Sequence, residues 1–133
     1  MTNFVEVKTA DLVGAALDWA VAIAENLTAI VSPPQYGNPH LVCVMGDYFS
    51  RGSRRYSPST DWSQCGPLIH REAIELTPAD KYDEFGNQWL AHMVGSGCDL
   101  ISQEGDTPLI AACRAIVASV LGETVSVPKE LLS

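Results

Sequence analysis

Two segments of the chain carry apolar residues at the three-to-four-residue spacing of an α-helix. The first covers about residues 11–26, where Thr9 is placed to cap the N-terminus and Asp11 favours the positive end of the helix dipole. The apolar positions that share one face of this segment are Leu12, Ala16, Trp19 and Ile23. We therefore predict a helix over residues 11–26 that buries this face, with Trp19 in the core.

The second segment, residues 108–121, is apolar almost all round. Asp106 precedes it as a candidate N-cap, and Pro108 occupies the first turn, where a missing N–H removes no helical hydrogen bond. Gly122 follows as a residue able to adopt the left-handed conformation that ends many helices. A helix with so little polar surface must be covered on most sides. The pattern therefore predicts a central core helix.

Shorter apolar runs between and beside these segments predict β-strands. They cover residues 4–7, 41–45, 73–76, 88–94 and 124–127. A short helix around Trp62 is expected to end at the Gly66-Pro67 pair, because proline interrupts helical hydrogen bonding. No linker divides the chain, so residues 1–133 are interpreted as a single domain. We predict an α+β fold in which a small, mostly antiparallel sheet packs on two main helices.

Composition narrows the kind of protein. The 133 residues are 47% hydrophobic, which supports a folded core rather than a disordered chain. Sixteen acidic residues against eight basic ones give a net charge of −8, and this charge disfavours binding to a nucleic-acid polymer. No uninterrupted apolar run of membrane-spanning length is present, and the first residues lack the basic and apolar regions of a signal peptide. We therefore expect no membrane contact and a location in the cytosol.

The sequence contains no familiar pattern of metal ligands or catalytic residues. Its cysteines, at positions 43, 65, 98 and 113, form no CxxC pair, and free structural thiols are expected. The phosphate-binding, nucleophile-elbow and dinucleotide-binding glycine motifs are absent. A cysteine–histidine nucleophile pair is left open, for example Cys65 or Cys98 with His70 or His92, because such pairs meet in space rather than in sequence. We assign no catalytic residue, no metal and no cofactor, and we favour binding over catalysis.

One polar segment has a composition suited to ligand binding. Arg51, Arg54 and Arg55 are three of the eight basic residues, and a stretch rich in aromatic and hydroxyl side chains follows them. Aromatic faces, small polar donors and guanidinium groups together favour a planar, anionic small molecule. The candidate ligand-binding residues are Arg54, Arg55, Tyr56, Ser59, Thr60, Asp61, Trp62 and Gln64. The alternative is structural: a solvated loop whose polar side chains cap a short helix and anchor it to the core.

Five segments that together span most of the chain share a pattern with a known family. They are VKTADLVGAALDWA at 7–20, YSPSTDW at 56–62, GPLI at 66–69, RE at 71–72 and GDTPLIAACRAIV at 105–117. In these segments the chain resembles the NinX family of tailed bacteriophages and their prophages. The family pattern has a small residue where Cys65 stands and an acidic residue where His70 stands, so neither is given a shared role. The resemblance implies a small accessory protein made in the cytoplasm of the infected bacterium, and it implies no biochemical activity.

The phage context and the candidate segment together give three hypotheses. In the first, which we favour, the protein binds and sequesters a small anionic, nucleotide-type immune signal of the host, and so acts in counter-defence. In the second, it inhibits a host protein through an exposed apolar patch. In the third, it is a small nucleotide hydrolase, which would need converging carboxylates, histidines or a metal. Self-association is left open in all three.

Overall fold

The computed structural model of the chain describes residues 3–34, 39–45, 53–79, 88–95 and 97–132. Within these residues three α-helices are found: α1 (Gly14–Ala24), α2 (Trp62–Glu72) and α3 (Pro108–Leu121). Short 3-10 turns lie at Thr9–Asp11 and Lys129–Leu132. Arg51 of the sequence-predicted segment lies outside the described residues.

The strands of the described residues pair only in antiparallel fashion, in three small sheets. They are β1 (Phe4–Lys8), β2 (Ala29–Ser32), β3 (Leu41–Met45), β4 (Ser53–Arg55), β5 (Glu75–Pro78), β6 (Trp89–Val94), β7 (Leu100–Gly105) and β8 (Thr124–Pro128). The sheet orders are β1-β8, β2-β3-β4 and β5-β6-β7. The first sheet joins the first and last strands, with Phe4 opposite Pro128 and Lys8 opposite Thr124. The α+β prediction is confirmed, with the strands divided among three sheets.

The helix α3 is the centre of the core, as its all-round apolar pattern predicts. It packs against α1, α2 and the β5-β6-β7 sheet, so that neighbours cover it on several sides. Its buried side chains are Leu109, Ala111, Ala112, Cys113, Ala115, Ile116 and Val117. The run of alanines lets neighbouring backbones approach closely, and the larger side chains fill the space between the elements.

The N-cap of α3 is Thr107, and the prediction of Asp106 in this role was wrong. The Ile110 N–H donates to Thr107 Oγ1 over 3.1 Å, which satisfies one of the free donors of the first turn. Pro108 is the first helical residue, where it removes no helical hydrogen bond. Gly122 closes the helix with φ +89° and ψ −159°, a positive-φ conformation outside the expected left-handed helical region.

The helix α1 is shorter than predicted and begins at Gly14, not at residue 11. Thr9 does not cap it, because the Thr9 hydroxyl donates to the carbonyl of Gly122 over 2.7 Å and ties the preceding 3-10 turn to the end of α3. Gly14 has φ +58°, a conformation that separates this turn from the helix. Trp19, predicted in the core, is half-buried and packs against its edge, with its ring centroid 6.0 Å from that of Phe4.

The helix α2 continues through Gly66-Pro67, where the sequence predicts a break. The residue before a proline avoids the helical conformation mainly because its Cβ and N–H meet the proline ring. Gly66 has no Cβ, so this restriction is weaker, and the helix runs on to Glu72. It ends where Ala73 adopts φ +51° and ψ +49°, the left-handed region.

Candidate functional site

The amide side chain of Gln64 helps to hold the turn before α2. The Ser57 N–H donates to Gln64 Oε1 over 2.6 Å, and Gln64 Nε2 donates to the carbonyl of Arg55 over 3.0 Å. Gln64 therefore joins the first turn of α2 to the chain on both sides of Tyr56. Gln64, a candidate ligand-binding residue, thus also has a structural role in the fold.

Asp61 occupies the N-terminus of α2. Its Oδ1 accepts from the Ser63 N–H over 2.9 Å and from the Ser63 hydroxyl over 2.6 Å, and these hydrogen bonds lower the pKa of the carboxyl. A carboxylate at this point satisfies the helix dipole and disfavours a second anion there. Thr60 is exposed and its hydroxyl makes a long contact of 3.4 Å with the carbonyl of Ser57. Thr60 is therefore part of the turn, and Asp61 is the N-cap of α2.

A buried carboxylate lies under the same turn. Asp18 projects from α1, and its Oδ1 accepts from the Ser59 N–H over 2.8 Å. Burial raises the pKa of Asp18 to about 6, against smaller lowering effects of Ser59 and of the Arg55 charge. The Ser59 hydroxyl is close enough to contribute to that lowering, although it falls short of hydrogen-bond geometry. Ser59 is therefore an anchor of the turn in the core.

The two adjacent arginines of β4, Arg54 and Arg55, have different surroundings. Successive residues of a strand point to opposite faces, and here Arg54 lines a surface cleft while Arg55 acts on the buried Asp18 carboxylate. The cleft has a volume of about 340 Å³. It lies between β4, α2 and the end of α1, and is lined by Glu25, Leu27, Arg54, Tyr56, Ser63, Gln64, Pro67, Leu68 and Arg71.

Two arginines and a buried tyrosine shape the electrostatics of this α2 cleft. Arg71 Nη2 lies 2.6 Å from both carboxylate oxygens of Glu25, and Arg71 Nε donates to Glu72 over 3.0 Å. Arg54 has no ion pair with any other described residue. Burial, followed by nearby acidic groups such as Glu25, raises the pKa of Tyr56, so its hydroxyl stays protonated.

The family membership follows from a comparison with known proteins. The family model described as bacteriophage P22 NinX matches residues 8–120. The chain belongs to the NinX family. No curated protein matches the sequence significantly. The resemblance in the five sequence segments is thereby confirmed, and this member is a phage accessory protein.

In this NinX protein the structure gathers only part of the sequence-predicted site. Arg54, Tyr56 and Gln64 line the α2 cleft together. The remaining candidates, which do not line it, are Arg55, Ser59, Thr60, Asp61 and Trp62. Trp62 is 58% exposed at the first position of α2. Whether any of these residues binds a ligand stays a prediction.

Sequence reasoning missed two charged residues of the cleft. Glu25 and Arg71 come from α1 and α2, so their pairing depends on how the helices pack and not on a local motif. Asp18 was missed as well, although a carboxylate among the alanines of α1 is a signal of a buried acid. Among the described residues, no group of three histidine, cysteine, aspartate or glutamate side chains could hold a metal. No helix in those ranges has the length and apolar character needed to cross a membrane.

Proposed function

We propose that this NinX family member is a non-catalytic accessory protein that binds and sequesters a small anionic, nucleotide-type ligand of the host in the α2 cleft. The observation that carries the proposal is the convergence of Arg54 and Arg71 beside Tyr56 and Gln64 in one cleft of about 340 Å³. Clefts of this size accept small molecules, and a few polar groups on an otherwise apolar lining fix their orientation.

Arg54 is the proposed phosphate contact. Arg71 is already paired with Glu25 and Glu72, so part of its charge is compensated. Arg54 is exposed and unpaired among the described residues, and its guanidinium can give two parallel hydrogen bonds to a phosphate. The net charge of −8 opposes a polyanion, which favours a ligand with few phosphates and only moderate salt dependence of binding.

Trp62 is the proposed stacking surface. Tyr56 is buried, so its ring forms part of the cleft wall and does not present a free face. Trp62 precedes the cleft residue Ser63 in α2 and exposes more than half of its surface. In the proposal, a base that extends out of the cleft stacks on this indole, a contact that contributes roughly 1–3 kcal/mol.

Calorimetry with a panel of cyclic dinucleotides and ADP-ribose derivatives tests the proposal. We expect Arg54→Ala to weaken binding roughly ten- to a hundredfold, the loss of a charge-assisted hydrogen bond. The matched control is Lys8→Ala, which removes one positive charge from the exposed strand β1 and should leave the affinity unchanged. Equal losses in both variants would mean that net charge, and not the cleft, controls binding.

Trp62→Ala provides a second test of the same site. Because the side chain is mostly exposed, we expect the melting temperature to change little. Binding of any ligand found in the panel should weaken by the stacking contribution, roughly 1–3 kcal/mol. Unchanged affinity would remove Trp62 from the site, and the absence of heat with every ligand of the panel would refute the proposal.

An exposed apolar patch favours the alternative, inhibition of a host protein. Val94 and Leu100 are opposite each other in the β6–β7 pair and are 63% and 71% exposed. Val94 and Val120 line the same surface depression, so the three side chains form one patch. This alternative predicts that Leu100→Ser abolishes a specific complex with a host protein in infected cells, while Arg54→Ala leaves that complex intact.

A further inference from the structure

Two buried cysteines face each other across the packing of α2 on α3. Cys65 Sγ and Cys113 Sγ lie 3.8 Å apart, and neither residue has exposed surface. They are 48 positions apart in the sequence, so the contact is produced by the fold. All four cysteines are free thiols, of which Cys43 is half-buried and Cys98 is exposed.

We propose that Cys65 and Cys113 are a disulfide-forming pair, a reversible oxidation site that covalently joins α2 to α3. The two sulfurs are already at van der Waals contact. A disulfide requires them to approach to about 2 Å, so the two side chains must move toward each other before the bond forms. The inference is independent of the ligand proposed for the α2 cleft.

The surroundings of the two thiols give them different roles. The hydrogen bond with Cys113 lowers the pKa of Cys65, while the same interaction and burial raise the pKa of Cys113. The charge of Asp18, which lies near both, works against ionisation of either thiol. Cys65 is carried by α2 and becomes accessible first when that helix opens, so we assign it the attacking role, and Cys113 in the core helix α3 is the resolving thiol.

The oxidant is a hydroperoxide, and the reaction balances in two steps. The Cys65 thiolate attacks one peroxide oxygen and the O–O bond breaks. The leaving oxygen takes up the proton that Cys65 released, which gives Cys65 sulfenic acid and one molecule of alcohol or water. The Cys113 sulfur then attacks the sulfenic sulfur, the S–S bond forms, and hydroxide leaves with the Cys113 proton as water. The two thiols lose two electrons, and the peroxide gains them.

Local opening of α2 gives the oxidant access to the buried pair. This helix buries only Cys65 and Leu68 among its described side chains, and Pro67 supplies no backbone N–H to its hydrogen-bond ladder. Elements with few buried apolar contacts open at lower free energy than the core. Oxidation of the pair should therefore be slower than that of the exposed Cys98, which serves as an internal control.

Peptide mapping of the full-length protein after hydrogen peroxide treatment tests the proposal. We expect a linked pair of peptides containing Cys65 and Cys113, lighter by two hydrogen atoms than the reduced pair and separated again by dithiothreitol. The melting temperature of the oxidised protein should rise by roughly 5–10 °C, because the bond closes a long loop of the unfolded chain. A Cys43→Ser/Cys98→Ser double variant should give the same linkage.

Single variants separate the two roles. In Cys113→Ser, Cys65 should stop at the sulfenic acid and react with dimedone, whereas in Cys65→Ala the slower Cys113 should give little dimedone adduct. The proposal is overturned if peroxide oxidises Cys98 while Cys65 and Cys113 stay fully alkylatable after denaturation. It is equally overturned if the linkage formed involves Cys43 or Cys98. If a variant does not fold, peptide mapping of the peroxide-treated wild-type protein still shows whether the Cys65–Cys113 disulfide forms.

Discussion

Asp18 is a carboxylate inside the core, between α1 and the turn that precedes α2. The hydrogen bond from the Ser59 N–H fixes that turn, but it does not replace the water that an ionised carboxylate loses on burial. The result is a pKa of about 6, well above its ordinary value of 3.8. At neutral pH the protein therefore holds this group in its less favourable, charged form.

The raised pKa of Asp18 predicts a loss of stability as pH rises. Between pH 3.8 and about 6 the folded chain keeps a proton on Asp18 that the unfolded chain has released. The contribution of Asp18 to the free energy of unfolding therefore falls over this range, by up to about 3 kcal/mol, and is highest below it. Asp18→Asn removes this titration while retaining an acceptor for the Ser59 N–H.

Urea unfolding of the wild type and of Asp18→Asn at several pH values measures the effect. The stability of the variant relative to the wild type should increase by about 2 kcal/mol from about pH 4 to about pH 7.5. The comparison cancels the titration of the other groups. A difference that is constant with pH would show that Asp18 keeps an ordinary pKa in the fold.

At the scale of elements, the sequence predicts best where one pattern decides the structure. The apolar surface of α3 and the apolar runs of β3 and β6 are compatible with few other secondary structures, and all three elements lie where predicted. The strand β4 contains Ser53-Arg54-Arg55, whose polar pattern shows no strand, and it forms because β3 offers a partner. The register that places Arg54 in the cleft likewise depends on this pairing. Local spacing does not contain that information.

The two hydrogen bonds by which Gln64 joins α2 to the preceding turn predict how the substitution Gln64→Glu changes stability. Gln64→Glu keeps the acceptor for the Ser57 N–H but replaces the Nε2 donor with an oxygen that faces the carbonyl of Arg55. We expect a loss of about 1 kcal/mol in the free energy of unfolding, because one hydrogen bond is lost at a partly exposed site.

Thermal or urea unfolding measures this loss at neutral pH. The control is Ser63→Ala, which loses the exposed hydroxyl and its hydrogen bond to Asp61 but retains the bond from its own N–H to Asp61 and leaves both hydrogen bonds of Gln64 intact. A Gln64→Glu protein as stable as the wild type would show that the amide is not what holds the turn to the helix.

At the scale of the whole molecule, the fold depends on α3. Ile116 is 2% exposed at the centre of this helix, and Ile116→Asp places a carboxylate there without a partner. Such a group costs several kcal/mol, a large part of the stability of a domain of this size, so we expect the variant not to fold.

Circular dichroism and proton NMR of purified Ile116→Asp test this expectation. Val120→Asp is the matched control, since Val120 lies one turn later on the same helix and is exposed. The control should fold normally. A soluble, folded Ile116→Asp protein would show that α3 is not the centre of the core.

The pairing of β1 with β8 sets the order in which the molecule can be completed during synthesis. The strand β1 leaves the ribosome before its only partner among the described strands, β8, which is made more than a hundred residues later. At ordinary translation rates this interval is on the order of ten seconds. During that time Phe4 and Val5 lack the neighbours that the finished sheet supplies, and α3 has not yet been made. The core therefore closes only after β8 has been made.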